Sequence, residues 1–220
     1  MKLKKLHKLT IACDGGAASG KTTGAKLISK KYGLKFLSSG LLYRFASYQL
    51  IKFNPRNRLT FLKKVFKKID LKKLNKINLH TANISEHTSM IAKERKIRLI
   101  LKLTQKKFSR KHEKCTIEGR DISYEILPKA DIKFFFKCGL NTAAKRRFKE
   151  LKKTNHKIKL KDVKKAIKIR NYRDKNRKNS PLIQPKDGII VHTDKHKNIA
   201  GMIKFMSEII DKKIKDKYGS

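Results

Sequence analysis

The 220-residue sequence has no tryptophan, only 4 prolines and 3 cysteines, and just 17 acidic residues against 59 basic ones. Cys13, Cys115 and Cys138 are odd in number and fit neither a CxxC nor a zinc-ligand spacing, which excludes a disulfide scaffold. They read as small buried hydrophobes in a reducing compartment. No apolar run approaches the roughly 18 residues of a membrane span. The start MKLKKLHKLTIAC is basic. Its uncharged stretch runs only from Leu9 to Cys13 before Asp14 interrupts it, short of the roughly 7 apolar residues of a secretion signal. A cytoplasmic chain is therefore expected. His7, His80, His87, His112, His156, His192 and His196 form no ligand spacing and read as surface residues.

What the sequence has in excess is positive charge, a formal +42 at pH 7. Such a balance suits a nucleic-acid or anionic-membrane partner if the cations gather on one element. Here the lysines spread over nearly every segment, so the excess reads as compositional drift, and no obligate nucleic-acid or membrane partner is expected. Only 12 of the 59 basic residues are arginine. A chain drifting toward lysine is expected to keep arginine where a planar, bidentate fork is needed, which makes each arginine informative.

Apolar runs of strand length recur at Leu9 to Cys13, Leu34 to Leu37, Cys115 to Ile117, Ile132 to Phe136 and Ile189 to Val191. Helical stretches lie near Lys21 to Tyr32, Gly40 to Ile51, Ser85 to Lys111, Thr142 to Lys153, Lys161 to Lys175 and Asn198 to Lys215. Short buried strands alternating with helices predict an α/β fold with a parallel sheet covered on both faces. Gly33 stands where a helix stop is expected. Two segments interrupt the alternation, Lys52 to Thr88, rich in Lys and Asn, and Lys149 to Pro181, basic and helical. Neither has the Gly/Ser/Pro richness of a tether, so both read as insertions over a cleft.

The strongest local signal is DGGAASGKTT, where Gly15, Gly20, Lys21 and Thr22 satisfy G-x-x-x-x-G-K-[ST] between a strand and a helix. Gly15, Gly16, Ala17, Ala18, Ser19, Gly20, Lys21, Thr22 and Thr23 would form a nest of backbone N–H groups closed by the positive end of the helix. Lys21 would reach the β and γ phosphates of a nucleoside triphosphate, and the Thr22 hydroxyl would ligate Mg²⁺.

Four segments, IACDGGAASGKTT, FLSSGLLYR, EGRDI and RNYRDKNR, occur in the order found in bacterial cytidylate (CMP/dCMP) kinases, and the chain resembles that family over most of its length. The resemblance implies a P-loop kinase fold with a parallel five-stranded sheet flanked by helices, a shortened acceptor-binding insert at 52–88 and a lid at 149–181, all within a single domain. It implies ATP·Mg²⁺ as donor, CMP or dCMP as acceptor, and a chain acting as a monomer. Arg44 and Arg120 would grip the acceptor phosphate, with Ser39 near the base. Asp121 and Arg98 would read the cytosine and Ser89 would touch the sugar. Arg170 and Asp174 would lie at the sugar region and Arg177 at the base side, while Glu118 would serve the Mg²⁺ shell.

The residues also carry a physical case of their own. Ser39, Gly40 and Arg44 follow the second strand, so a helix N-terminus and a guanidinium face one cleft. Glu118, Gly119, Arg120 and Asp121 follow the third, at the carboxyl edge where doubly wound sheets bind ligands. Arg170, Asp174 and Arg177 are spaced i, i+4 and i+7, which puts them on one helical face suited to closing over phosphates. Lys21, Arg44, Arg120, Arg170 and Arg177 are the expected catalytic cations. The rival readings are a kinase acting on UMP or AMP and a basic nucleic-acid-binding protein for which the triphosphate is regulatory. Gly16, Ser38, Ser123 and Tyr124 depart from the family pattern, which has Pro, Asp and Gly-Thr at those places.

Overall fold

The apolar run at the head of the first sequence motif becomes β1 (Leu9–Gly15), whose side chains are buried on both faces of a sheet except at Thr10. A computed structural model of the protein describes residues 8–153 and 156–219. His7 and residues 154 and 155 of the basic 149–181 segment lie outside the described residues.

β1 is the centre of a five-stranded sheet ordered β2-β3-β1-β4-β5, where β2 is Lys35–Ser38, β3 Lys114–Gly119, β4 Ile132–Lys137 and β5 Ile189–His192. All four pairings are parallel, so each connection must cross over a face, and helices cover both sides. On one face α1 (Lys21–Tyr32) and α8 (Ile199–Tyr218) bury Ile11, Cys13, Ile28, Phe134, Phe136, Met206 and Ile210. On the other, α2 (Ser39–Phe53), α3 (Arg58–Lys67) and α5 (Arg95–Lys111) close over Ala12, Leu37 and Ile117. α1 ends at Gly33, as its position predicts.

The Lys- and Asn-rich residues between α2 and α5 also contribute to the core. Leu62 and Phe66 of α3, together with Leu74, pack into the same core as α2, beside a 3₁₀ turn at Lys73–Lys76. The single helix expected over Ser85 to Lys111 is two, α4 (Ala82–Ile91) and α5. Glu94 takes an extended conformation that ends the helical path. The break frees the Ala92 carbonyl, which accepts the Arg98 guanidinium at 3.0 Å in a part-buried, charge-assisted bond. Ser89 and Arg98 consequently come from different helices.

α6 (Leu140–Lys152) and α7 (Leu160–Asn176) pack together beside the phosphate loop, where Val163 and Ile167 of α7 bury against Ala17, Ala143 and Ala144. α7 stops at Asn176, so Arg177 does not share a helical face with Arg170 and Asp174 as its spacing predicts. It is extended, at φ −70 and ψ 139. Cys13 and Cys115 are buried as expected, but Cys138 is half-buried just past the edge of β4. His80 and His156 are exposed, whereas His87, His112, His192 and His196 are half-buried.

Candidate active site

β1 delivers the chain into the phosphate loop at the carboxyl edge of the sheet. The loop turns through Ala18 at φ 53 and Gly20 at φ 81, a left-handed position where a Cβ would be strained. Gly20 places no side chain over the start of α1, so the first-turn N–H groups are left for an anion. Thr193, just beyond β5, fastens the loop from below by donating its hydroxyl to the Ser19 carbonyl at 2.9 Å. Arg146 of α6 in turn bonds the Thr193 hydroxyl and carbonyl, each at 2.8 Å. Thr22 and Thr23 stand exposed at the first turn.

Lys21 lies 8% exposed, its ammonium donating to the Gly16 carbonyl at 3.2 Å and 3.8 Å from Glu118 Oε2. Burial foremost, then the Arg120 charge, pulls its pKa down to about 7 against the opposing pull of Glu118. Glu118 ends β3 beside β1, accepts the Ser38 hydroxyl on Oε1, and leaves Oε2 buried with no hydrogen bond.

Opposite the loop, Ser39 is buried at the start of α2 and the Ser38 hydroxyl caps that helix by accepting the Leu41 N–H. Arg44, one turn on, donates to the Leu79 carbonyl at 3.0 Å and the Ser85 hydroxyl at 2.8 Å. Its pKa falls to about 9, by burial and then by repulsion from Arg170, Arg147 and Arg120. It remains charged at neutral pH, and the repulsion marks a place that an anion would relieve. Ser89 lines the same space with a buried hydroxyl that has no hydrogen bond.

The remaining charges form an alternating chain. Arg98 pairs with Asp121 while its guanidinium lies 5.5 Å over the Tyr43 ring. Asp121 also faces Arg177 at 3.9 Å, and Arg177 faces Asp174 at 3.8 Å. Asp174 accepts from Arg120 at 2.7 Å and stands 3.9 Å from Arg170. Burial alone would raise the Asp174 carboxyl, but Arg120 and Arg170 outweigh it and hold it below the usual range. Arg177 completes a turn by donating to the Ser180 carbonyl at 2.6 Å. Two carboxylates thus order four guanidiniums in a buried setting, where an unpaired charge would be costly.

One cleft of about 1160 Å³ collects these groups. Its walls include every site residue expected from the sequence except Gly15 and Gly16, at the start of the loop. The sequence reading missed Arg146 and Arg147, which also line the cleft. They are adjacent in a lysine-rich chain, and the rule that arginine is informative there would have found them. It missed Asp14 too. This fully buried carboxylate accepts the Ile122 and Ser123 N–H groups, both at 2.8 Å, and so pins the π-helical turn Ile122–Ile126 behind Asp121. Burial pushes its pKa up to about 6.

A family profile described as cytidylate kinase matches residues 11–212. The cytidylate kinase of Clostridium tetani (strain Massachusetts / E88) is 33% identical over 218 residues, spanning 94% of this chain and 96% of that protein. The cytidylate kinase of Mesomycoplasma hyopneumoniae (strain 7448) is 33% identical over 198 residues, spanning 84% and 86%. Among solved structures, the shikimate kinase of Bacteroides thetaiotaomicron superposes with a TM-score of 0.51 at 12% identity, over 93% of this chain and 99% of that one. At that identity the likeness speaks for the P-loop kinase fold alone.

Proposed function

The chain belongs to the cytidylate kinase family and is a nucleoside monophosphate kinase, and on that premise we propose that it moves the γ-phosphoryl group of ATP onto CMP or dCMP. The observation that carries the acceptor reading is the Arg98–Asp121–Arg177 cluster, buried in the same cleft as the phosphate loop. Cytosine offers O2 and N3 as acceptors and N4 as donor. Arginine beside a carboxylate matches that edge, and uracil reverses the donor at two of those positions. Arg44 and Arg120 suit the acceptor phosphate, and Arg170, Arg177 and Asp174 suit the sugar and the transferring group.

An acceptor phosphate is already a nucleophile at neutral pH, so no strong base is required. The protein's work is to hold the two nucleotides in line and to neutralise charge as the phosphoryl group passes between them. Lys21 follows the γ-phosphate while the α1 amides hold the chain of phosphates. Closure of 149–181 over the cleft would exclude water. The unbonded, buried Oε2 of Glu118 and the exposed hydroxyl of Thr22 fit the needs of Mg²⁺, a hard cation that takes oxygen ligands and water. Held by those two residues, the ion would supply neutralisation of phosphate charge. A coupled ATP-to-ADP assay across all ribo- and deoxyribonucleoside monophosphates tests the proposal. Highest kcat/KM on CMP or dCMP is expected, and preference for UMP or AMP would refute the acceptor assignment.

A further inference from the structure

On α7, Val163, Ile167, Asn171 and Asp174 recur at helical spacing and share a face. The first two pack against Ala17 of the phosphate loop, and the last joins the guanidinium chain. Between them the Asn171 carboxamide turns to the loop, where Oδ1 accepts the Ala17 backbone N–H at 2.8 Å. A Cβ on Gly16 would stand 3.2 Å from that oxygen, and its next two neighbours, at 3.5 and 3.6 Å, also belong to Asn171. Gly16 is not among the residues with positive φ, so its backbone does not demand glycine. The Asn171 carboxamide would have to give by a few tenths of an ångström to admit a Cβ there.

We propose that Asn171 is a positioning residue that registers α7 against the phosphate loop, so that Arg170 and Asp174 stand at a fixed distance from the transferring phosphoryl group. The inference rests on the donor role of the loop. Asn171 acts through the Ala17 amide on one side and through its helical neighbours on the other. A carboxamide suits the task because it accepts the N–H without setting a negative charge beside the donor phosphates. A shift of the lid arginines by a fraction of a bond length would then appear in turnover more than in acceptor binding.

A double-mutant cycle of Asn171→Ala and Gly16→Ala on the full chain tests this, read by kcat, KM for each substrate, thermal midpoint and the Ala17 amide resonance. Asn171→Ala should lower kcat about tenfold or more, with KM for CMP and the midpoint held and the Ala17 amide proton moved upfield. Gly16→Ala should lower kcat in the wild-type background and add nothing to Asn171→Ala. The role of Asn171 is overturned if Asn171→Ala keeps wild-type turnover, if the two substitutions are simply additive, or if kcat falls only together with the midpoint. Wild-type protein that transfers no phosphate from ATP would instead overturn the donor reading, while the amide resonance would still report the contact.

Discussion

Binding of ATP should draw a proton onto the protein, because the site holds Lys21 near its point of half-protonation until phosphates arrive. Burial and the Arg120 charge set the free-site pKa at about 7, against an ordinary 10.5. A triphosphate cradled by the loop adds negative charge beside the ammonium, which outweighs the Arg120 repulsion and the cost of burial. At pH 8 the free Lys21 is about one-tenth charged and the bound one close to fully charged, so roughly 0.9 proton is taken up per ATP. The uptake falls to about 0.5 at pH 7 and about 0.1 at pH 6. By linkage, ATP affinity should weaken nearly tenfold per unit as pH rises above 7. Calorimetric titrations at pH 8 in two buffers of different ionisation enthalpy give the proton count directly, since a nucleotide phosphate with a second pKa of about 6 is already ionised there. Lys21→Met should abolish the uptake. No uptake by the wild type at pH 8, or the same uptake in Lys21→Met, would refute the assignment of Lys21 to the donor phosphates.

Arg98→Ala should cost far more in CMP use than in ATP binding and should narrow the preference for CMP over UMP, because it strips Asp121 of a buried partner; equal losses of kcat/KM on the two acceptors would rule out base reading by Arg98. Arg170→Lys and Arg177→Lys should each lower kcat/KM at least tenfold, about 1.4 kcal/mol, since lysine keeps the charge and loses the planar fork. Lys168→Ala and Lys175→Ala, both on exposed positions of α7, should cost little by comparison, and four similar small effects would mean that this segment is not the lid. Asp14 has a pKa of about 6 against an ordinary 3.8, so its contribution to stability is fully present below 3.8 and is lost as pH rises through 6. Denaturant unfolding should therefore show the wild type losing roughly 3 kcal/mol relative to Asp14→Asn between pH 4 and 7, and a pH-independent difference would show that Asp14 does not titrate there.

Much of this protein is legible in local pattern. The five strands, the stop at Gly33 and the phosphate loop follow from short apolar runs, a glycine and a spacing, each dictated by interactions within a few residues of the chain. The arginines stand out because a lysine-rich chain retains them, and the five expected to be functional do line the cleft. What local pattern could not decide is partnership across the fold. The break between α4 and α5 leaves the Ala92 carbonyl to accept the Arg98 guanidinium, which also pairs with Asp121 from β3's end of the sheet. Helical periodicity continues through that stretch, so the sequence reads as one helix. Arg177 keeps the spacing of a helical face yet leaves α7, and it meets Asp174 and Asp121 from an extended backbone. Asp14 and Asn171 have no signature because their partners are backbone N–H groups at Ile122, Ser123 and Ala17, and every non-proline residue has one of those. By itself, then, the sequence determined the strand order along the chain, the triphosphate loop and the inventory of cations. The tertiary structure decided which carboxylate orders which guanidinium and how α7 docks on the loop, because buried charges are held by neighbours distant in sequence and their pairing exists only once the sheet edge brings them together.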